Sequence, residues 1–375
     1  MSTGKENRSG TMTSKAENNI GAKLELYRDF WDLKPVRRPM VGFDVGGWFP
    51  FQRYADLRNI EEKGFIEPGM LDAKRCLPDY GAFMERCLEV GDDFIKGVCP
   101  ISAIPWMEGI LGCALQRSGE SVWAVERMAS WEELFGIALS EENPWYKKYI
   151  EFVRVLTEGA GGQYPVGLPI LRGPGDVMGA LRGHTEAIIG LMEDSSESSA
   201  LADRAADALI RLVKDHHAAT VPFHGGHFIE AYALWAPGPL VRMQEDATAV
   251  YSPDLYRSLV LEADRKIARA FPYSLIHLHS SSLFLLDEFL SIKEIGVYQI
   301  NRDVGEMDLV QLIPYLKRIQ ENGRRIFLRG PLDRDDFALV AKNLSPVGLM
   351  VQSVVGTTEE ARELSESAGR IFGMR

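Results

Sequence analysis

The sequence predicts an α/β protein built as one (β/α)8 TIM barrel, distorted and carrying insertions. Three observations predict it. From about Lys23 onward, short β-rich runs alternate with longer amphipathic segments, the pattern of a parallel sheet with helical crossovers. Eight such units are present, which suits a closed barrel better than an open doubly wound sheet. No linker rich in Pro, Gly or Ser divides the chain, and no internal repeat is visible, so one domain over 23–375 is expected.

The expected strands are RPMVGFDV (38–45), DFIKGVC (93–99), YPVGLPIL (164–171), LVRMQE (240–245), SLIHLHS (274–280), GVYQIN (296–301), RRIFLRG (324–330) and GLMVQSVVG (348–356). Each holds branched or aromatic residues, most with turn residues at one end. VPFHGGH (221–227) reads as a rim excursion. Helix signals lie between them. Ser252 is placed to cap a long helix with Pro253 in its first turn. Thr357 and Glu360 have the spacing of a capping box, with Gly369 at the far end. Asn322-Gly323 closes the helix of 306–323. The stretch 100–163 is expected to insert a hairpin, ALQRSGESVWAVE, and a helix. Residues 1–22 lack the apolar core of a signal peptide and read as a disordered leader outside the fold.

Composition narrows the function. The chain has 375 residues, 46% hydrophobic and 25% charged, with a formal charge of −11. That charge argues against nucleic acid or an anionic membrane as the main partner. The four cysteines show no C-x-x-C pairing, which excludes zinc-ribbon and dithiol redox motifs and points to a reducing cytoplasm. No apolar run approaches about 18 residues, so no membrane span is expected.

Barrel active sites lie at the carboxyl ends of the strands. Those ends hold Asp44, Cys99, Arg172, Glu245, Asp246, His277, His279, Asn301, Asp303, Arg329, Gln352 and Ser353. His277 and His279 are the strongest pair. Side chains alternate along a strand, so both imidazoles share the face opposite Ile276 and Leu278. Two imidazoles so placed can share a metal; the alternative is a pair of hydrogen-bonded interior histidines. Glu245, Asp246 and His224 are the candidate further donors, and Asp44, Glu245 and Asp246 the candidate acids or bases. Trp48, Phe49, Cys99, Trp106, Arg172, His224 and Gln352 are expected to contact substrate. The turn after Arg172, GPG, opens a helix whose start could hold an anion or could simply be a tight turn. His216-His217, at a helix end, reads as a favourable dipole contact.

Taken in order, RRPMVGFDVGGWFPFQRY, GDDFIKGVCPISAIPWMEGILG, LPILRGPGDVMGAL, VRMQEDATAVYSPDLYRSLVLEADRKIA and LIHLHSSS resemble the uroporphyrinogen decarboxylase superfamily. The chain is similar to its corrinoid-linked methyltransferase branch, as a divergent member. The resemblance implies a (β/α)8 barrel, zinc and a corrinoid carried by a partner protein. It departs from the decarboxylases, which follow strand one with Arg-Gln-Ala-Gly-Arg where this chain has Asp44-Val45-Gly46-Gly47-Trp48. It also departs from the methyltransferases, which use His-x-Cys and a late Cys where this chain has His277-x-His279 and Gln352-Ser353. Nitrogen and oxygen ligands would leave a harder, more Lewis-acidic ion. The leading expectation is therefore metal-assisted methyl transfer from a small substrate to a corrinoid partner. The alternatives are a lyase that decarboxylates a small aromatic or tetrapyrrole-like acid and a non-catalytic ligand-binding barrel. A homodimer is compatible with each.

Overall fold

The computed structural model describes residues 9–46, 53–185, 187, 189 and 195–373. Its strands are β1 (Met40–Val45), β2 (Lys63–Ile66), β3 (Leu115–Ser118), β4 (Ser121–Ala124), β5 (His227–Ile229), β6 (Leu234–Ala236), β7 (Leu240–Gln244), β8 (Tyr273–Leu278), β9 (Val297–Asn301), β10 (Arg325–Gly330) and β11 (Leu349–Val355). Six of them form one parallel sheet in the order β1-β11-β10-β9-β8-β7. Its strands are buried nearly throughout, as parallel strands covered by helices must be.

Two expected strands are less regular than the sequence suggests. Residues 93–99 and 164–171 make single parallel bridges, Val98 with Val166 and Leu168 with Ile229. Pro165 and Pro169 lack the N–H that a continuous ladder needs. Main-chain bonds nevertheless run from Asp93 N to Val41 O (3.1 Å) and from Gly173 N to Gln244 O (3.0 Å), beside both edges of the sheet. The arrangement is an α/β fold compatible with a TIM barrel. The expected rim excursion, 221–227, leads into the antiparallel pair β5–β6 and shares only His227 with it. The expected hairpin is β3–β4, and β2 adds a third strand to it.

The caps show how local signals set the helices. Ser252 Oγ accepts from Leu255 N at 3.2 Å, but the expected long helix divides into Pro253–Leu259 and Leu261–Arg269. Thr357 caps Glu360 N, whereas the Glu360 carboxylate accepts from Gly356 N rather than closing a box. That helix continues through Gly369 and stops at Gly373, whose φ of 69° suits glycine. The first described helix, Ser9–Trp31, begins within the stretch expected to be a disordered leader. Lys15, Ala16 and Glu17 are good helix formers, and Tyr27, Phe30 and Trp31 anchor the helix by burial. Trp31 Nε1 donates to Trp235 O at 2.9 Å, and Arg325 Nε to Phe30 O at 3.2 Å, so this helix covers the amino-terminal end of the sheet. A cavity lies at the opposite end. Among the described residues no helix is long and apolar enough to cross a membrane.

Candidate metal centre and substrate cavity

Register brings the polar residues together. Gln244, His277 and Gln299 stand side by side on β7, β8 and β9. Asn301, Arg329, Gln352 and Gly42 form the next row toward the carboxyl ends. Alternation then places Arg242 below Gln244, His279 above His277, and Asp44 above Gly42. These rows face a cavity of about 370 Å³, bordered by Arg172, Tyr232, Arg242, Gln244, Asp246, His277, His279, Asn301 and Arg329. Glu120, Ser121 and Val122, at the β3–β4 turn, form part of its wall.

The two histidines converge. His277 Nε2 and His279 Nε2 are 3.0 Å apart, and Asp246 Oδ1 lies 3.9 Å from His279 Nε2. All three donor atoms fall within 4.8 Å of one another. The outer nitrogens are occupied. His277 Nδ1 bonds Gln299 Oε1, and His279 Nδ1 bonds Asp303 Oδ2 at 2.5 Å. Gln299 donates its amide to Asn301 Oδ1 at 2.9 Å, which leaves its carbonyl oxygen for His277 and assigns the proton to His277 Nδ1. Asn301 in turn donates to Asp303 Oδ1 at 3.1 Å. Burial and the nearby Arg242 charge push His277 well below the usual histidine range, so its Nε2 presents a lone pair. The Asp303 hydrogen bond instead raises His279.

Other expected site residues fall elsewhere. Trp48 and Phe49 lie outside the described residues. Asp44 accepts from Arg329 Nη2 at 2.7 Å, and Gln352 Oε1 accepts from Arg329 Nε at 3.0 Å. Both border a separate small cavity and act on the main one through Arg329. Arg172 does line the main cavity, paired with the buried Glu108 at 2.8 Å.

Four expectations need correction. Cys99 does not line the main cavity; it bonds Ser102 at 3.1 Å and Glu230 at 3.4 Å, and burial raises its thiol well above the normal range. Trp106 is core, packed edge-on against Trp145, Tyr149 and Phe152, with its indole N–H on Ile101 O. His224 sits exposed in a turn just before β5 and does not border the cavity of the histidine pair. His216 is buried against the Tyr149 hydroxyl, and desolvation drives it well below its usual pKa, so it carries no charge to offer a helix dipole.

Glu245 is the fifth correction. Strand alternation turns it away from Gln244 and Asp246, and it is buried behind the sheet. Its Oε2 accepts from Gly175 N at 2.7 Å, so the protein's own carboxyl occupies the helix start that the sequence offered to an anion. Asp264 lies beside it and accepts from the Tyr256 hydroxyl at 2.6 Å. Burial pushes the Asp264 carboxyl up to about 7, against the lowering hydrogen bonds of Tyr256 and Glu245. A folded-state pKa above the unfolded value means stability present at low pH and lost as pH rises through about 7. Asp264→Asn mimics the protonated form. It should therefore gain on the unaltered protein between pH 4 and pH 8, by roughly 1–3 kcal/mol. Denaturant midpoints at both pH values measure this, and a pH-independent difference contradicts it.

Sequence reasoning missed Arg242, Gln244, Tyr232 and Gln299, and placed Asp303 and Arg329 at strand ends without assigning them a role. A signal existed for several: Arg242, Gln244 and Asp246 recur every second residue, as do Gln299, Asn301 and Asp303. Polar residues at period two in otherwise apolar strands mark a wetted interior.

No model of a known protein family matches the sequence, and no curated protein matches it. Among solved structures, a methyltransferase from Methanosarcina mazei is similar, with a TM-score of 0.63 at 12% identity over 95% of this chain and 99% of that one. A proposed dehydratase from Mesorhizobium loti overlaps at a TM-score of 0.38 and 13% identity, over 89% of this chain and 60% of that one. The first likeness shows the fold: this chain shares the α/β architecture of a methyltransferase.

Proposed function

We propose that the protein is a metal-assisted methyltransferase of the uroporphyrinogen decarboxylase superfamily. It would move a methyl group from a small substrate to a corrinoid carried by a partner protein. The convergence of His277 Nε2, His279 Nε2 and Asp246 Oδ1 at the cavity carries this reading. Two imidazoles and a carboxylate with one open position form a catalytic zinc ligand set. Donors around a tetrahedral zinc stand roughly 3.3 Å apart. The 3.0 and 3.9 Å separations bracket that spacing and the third lies within 4.8 Å, so small side-chain movements would bring the three residues around the ion. Gln299 and Asp303 supply the outer hydrogen bonds that fix imidazole orientation at such centres.

Zinc held there would polarise the substrate atom that bears the methyl group and ease its departure as an anion. The chain supplies the rest. Tyr232, Arg242 and Arg172 line the wall that positions the substrate. A cavity of about 370 Å³ is at the small end for ligand pockets, which favours a small methyl donor over a tetrapyrrole. The fold shared with a methyltransferase agrees.

Purified, tag-free protein should contain about one zinc per chain by mass spectrometry. It should also methylate reduced free cobalamin from a small methylated donor. A protein that stays metal-free when zinc is supplied overturns the proposal. CO₂ release that survives chelation marks the lyase instead, and tight retention of a ligand without turnover marks a binding barrel. Asp303→Asn leaves all three donors in place but weakens the grip on His279 Nδ1. Its zinc affinity should fall on the order of 10- to 100-fold in a chelator competition.

A further inference from the structure

Arg242 is a cavity residue whose charge no carboxylate among the described residues balances. It is 1% exposed and borders the main cavity. Its Nε and Nη2 donate to the Tyr232 hydroxyl at 3.3 and 3.0 Å, and its Nη1 to Leu171 O at 3.4 Å. A guanidinium has five N–H bonds. These three contacts leave two of them without an acceptor among the described residues. The other arginines of the cavity are neutralised, Arg172 by Glu108 and Arg329 by Asp44. Among the described residues no carboxylate forms an ion pair with Arg242.

An unpaired buried charge is strongly unfavourable, and an anion from outside the chain would relieve it. The guanidinium is also held in place. The Tyr232 ring lies 5.4 Å from its carbon and stacks on His277 at 5.9 Å and 26°, so one aromatic wall joins Arg242 to the candidate metal centre. Arg242 is two residues before Gln244, the register partner of His277, and so lies about 6.6 Å deeper along the strand. A short molecule could reach both points. A planar carboxylate matches the free edge of a guanidinium. A single negative charge suits a site that also holds Asp246 and Glu120, both of which would repel a dianion.

We propose that Arg242 binds the carboxylate of the substrate, which makes the methyl donor a small monocarboxylic acid rather than a neutral alcohol or an amine. Arg242 is the specificity residue, and Tyr232 is the positioning residue that presents it. Naming the molecule a methyl donor rests on the methyl-transfer reading; the carboxylate site itself does not.

Calorimetric titration of metal-stripped protein tests this with methoxyacetate and 3-methoxypropanoate against their amides. Each acid should bind on the order of 10- to 100-fold more tightly than its amide, the margin of a charge-assisted hydrogen bond. Arg242→Gln and Arg242→Met should erase that margin, while Arg172→Gln should keep it. Acids that bind no better than amides overturn the proposal, as does a margin that survives Arg242→Gln. If the Arg242 variants do not fold, the unaltered protein and Arg172→Gln decide: loss of the margin in Arg172→Gln assigns the anion to Arg172 instead. Because this binding needs neither metal nor turnover, an acid preference in a protein that never takes up zinc would keep this site and remove only the methyl-transfer reading.

Discussion

His277→Ala is expected to abolish stoichiometric zinc binding and, with it, methyl transfer. Zinc bound by four protein ligands is worth ~10–16 kcal/mol, so one donor accounts for roughly 3 kcal/mol, or more than a hundredfold in affinity. The remaining donors, His279 and Asp246, are 3.9 Å apart and only partly buried, a pair that would bind zinc weakly. His277 is also the better-held imidazole, buried on β8 with Nδ1 fixed by Gln299. Metal content by mass spectrometry and cobalamin methylation read out the two losses together. Circular dichroism separates them from unfolding. Retention of zinc at the level of the unaltered protein in His277→Ala would show that the ion sits elsewhere.

Gly173→Ala is expected to destabilise the protein by about 3 kcal/mol. A Cβ at this position would stand 2.1 Å from Glu245 Oε1 and 2.2 Å from Gln244 O. The first atom could swing away, but the second is main chain at the end of β7, and Gly173 N donates to it at 3.0 Å. Relieving the clash therefore shifts the backbone that carries Gln244 and Asp246, so zinc affinity should fall along with the unfolding midpoint. Gly175 tests the distinction, because a Cβ there would meet Glu245 Oε2 first, at 2.4 Å, and that atom is a side-chain end. Gly175→Ala should cost less, and Glu245→Ala, which removes the side-chain end, should not lessen the cost of Gly173→Ala. Rescue would place the strain on the carboxyl rather than on the main chain.

Much of this arrangement is legible in the sequence. Alternation places His277 and His279 on one face, and strand-end logic singles out Asp246, Asn301, Asp303 and Arg329. Those inferences depend on local geometry, a period of two and the direction of a parallel strand, which a sequence carries directly. Three of the errors share one cause. Cys99, Trp106 and Glu245 also stand at or near strand ends, but each turns into packing: Cys99 toward Glu230, Trp106 into an aromatic cluster, Glu245 toward Gly175 and Asp264. Alternation alone already separates Glu245 from Asp246.

The sequence by itself determined the α/β class, the parallel order of elements and the shared face of the two histidines, because each follows from periodicity and nearest-neighbour sterics. Only the tertiary structure decided that Asp246, not Glu245 or His224, is the further donor beside them. It also decided that Gln299 and Asp303 hold the imidazoles and that Arg242 borders the cavity with no carboxylate among the described residues to balance it. These are meetings between strands brought together by register. Register is set by the burial of the whole sheet rather than by any one segment.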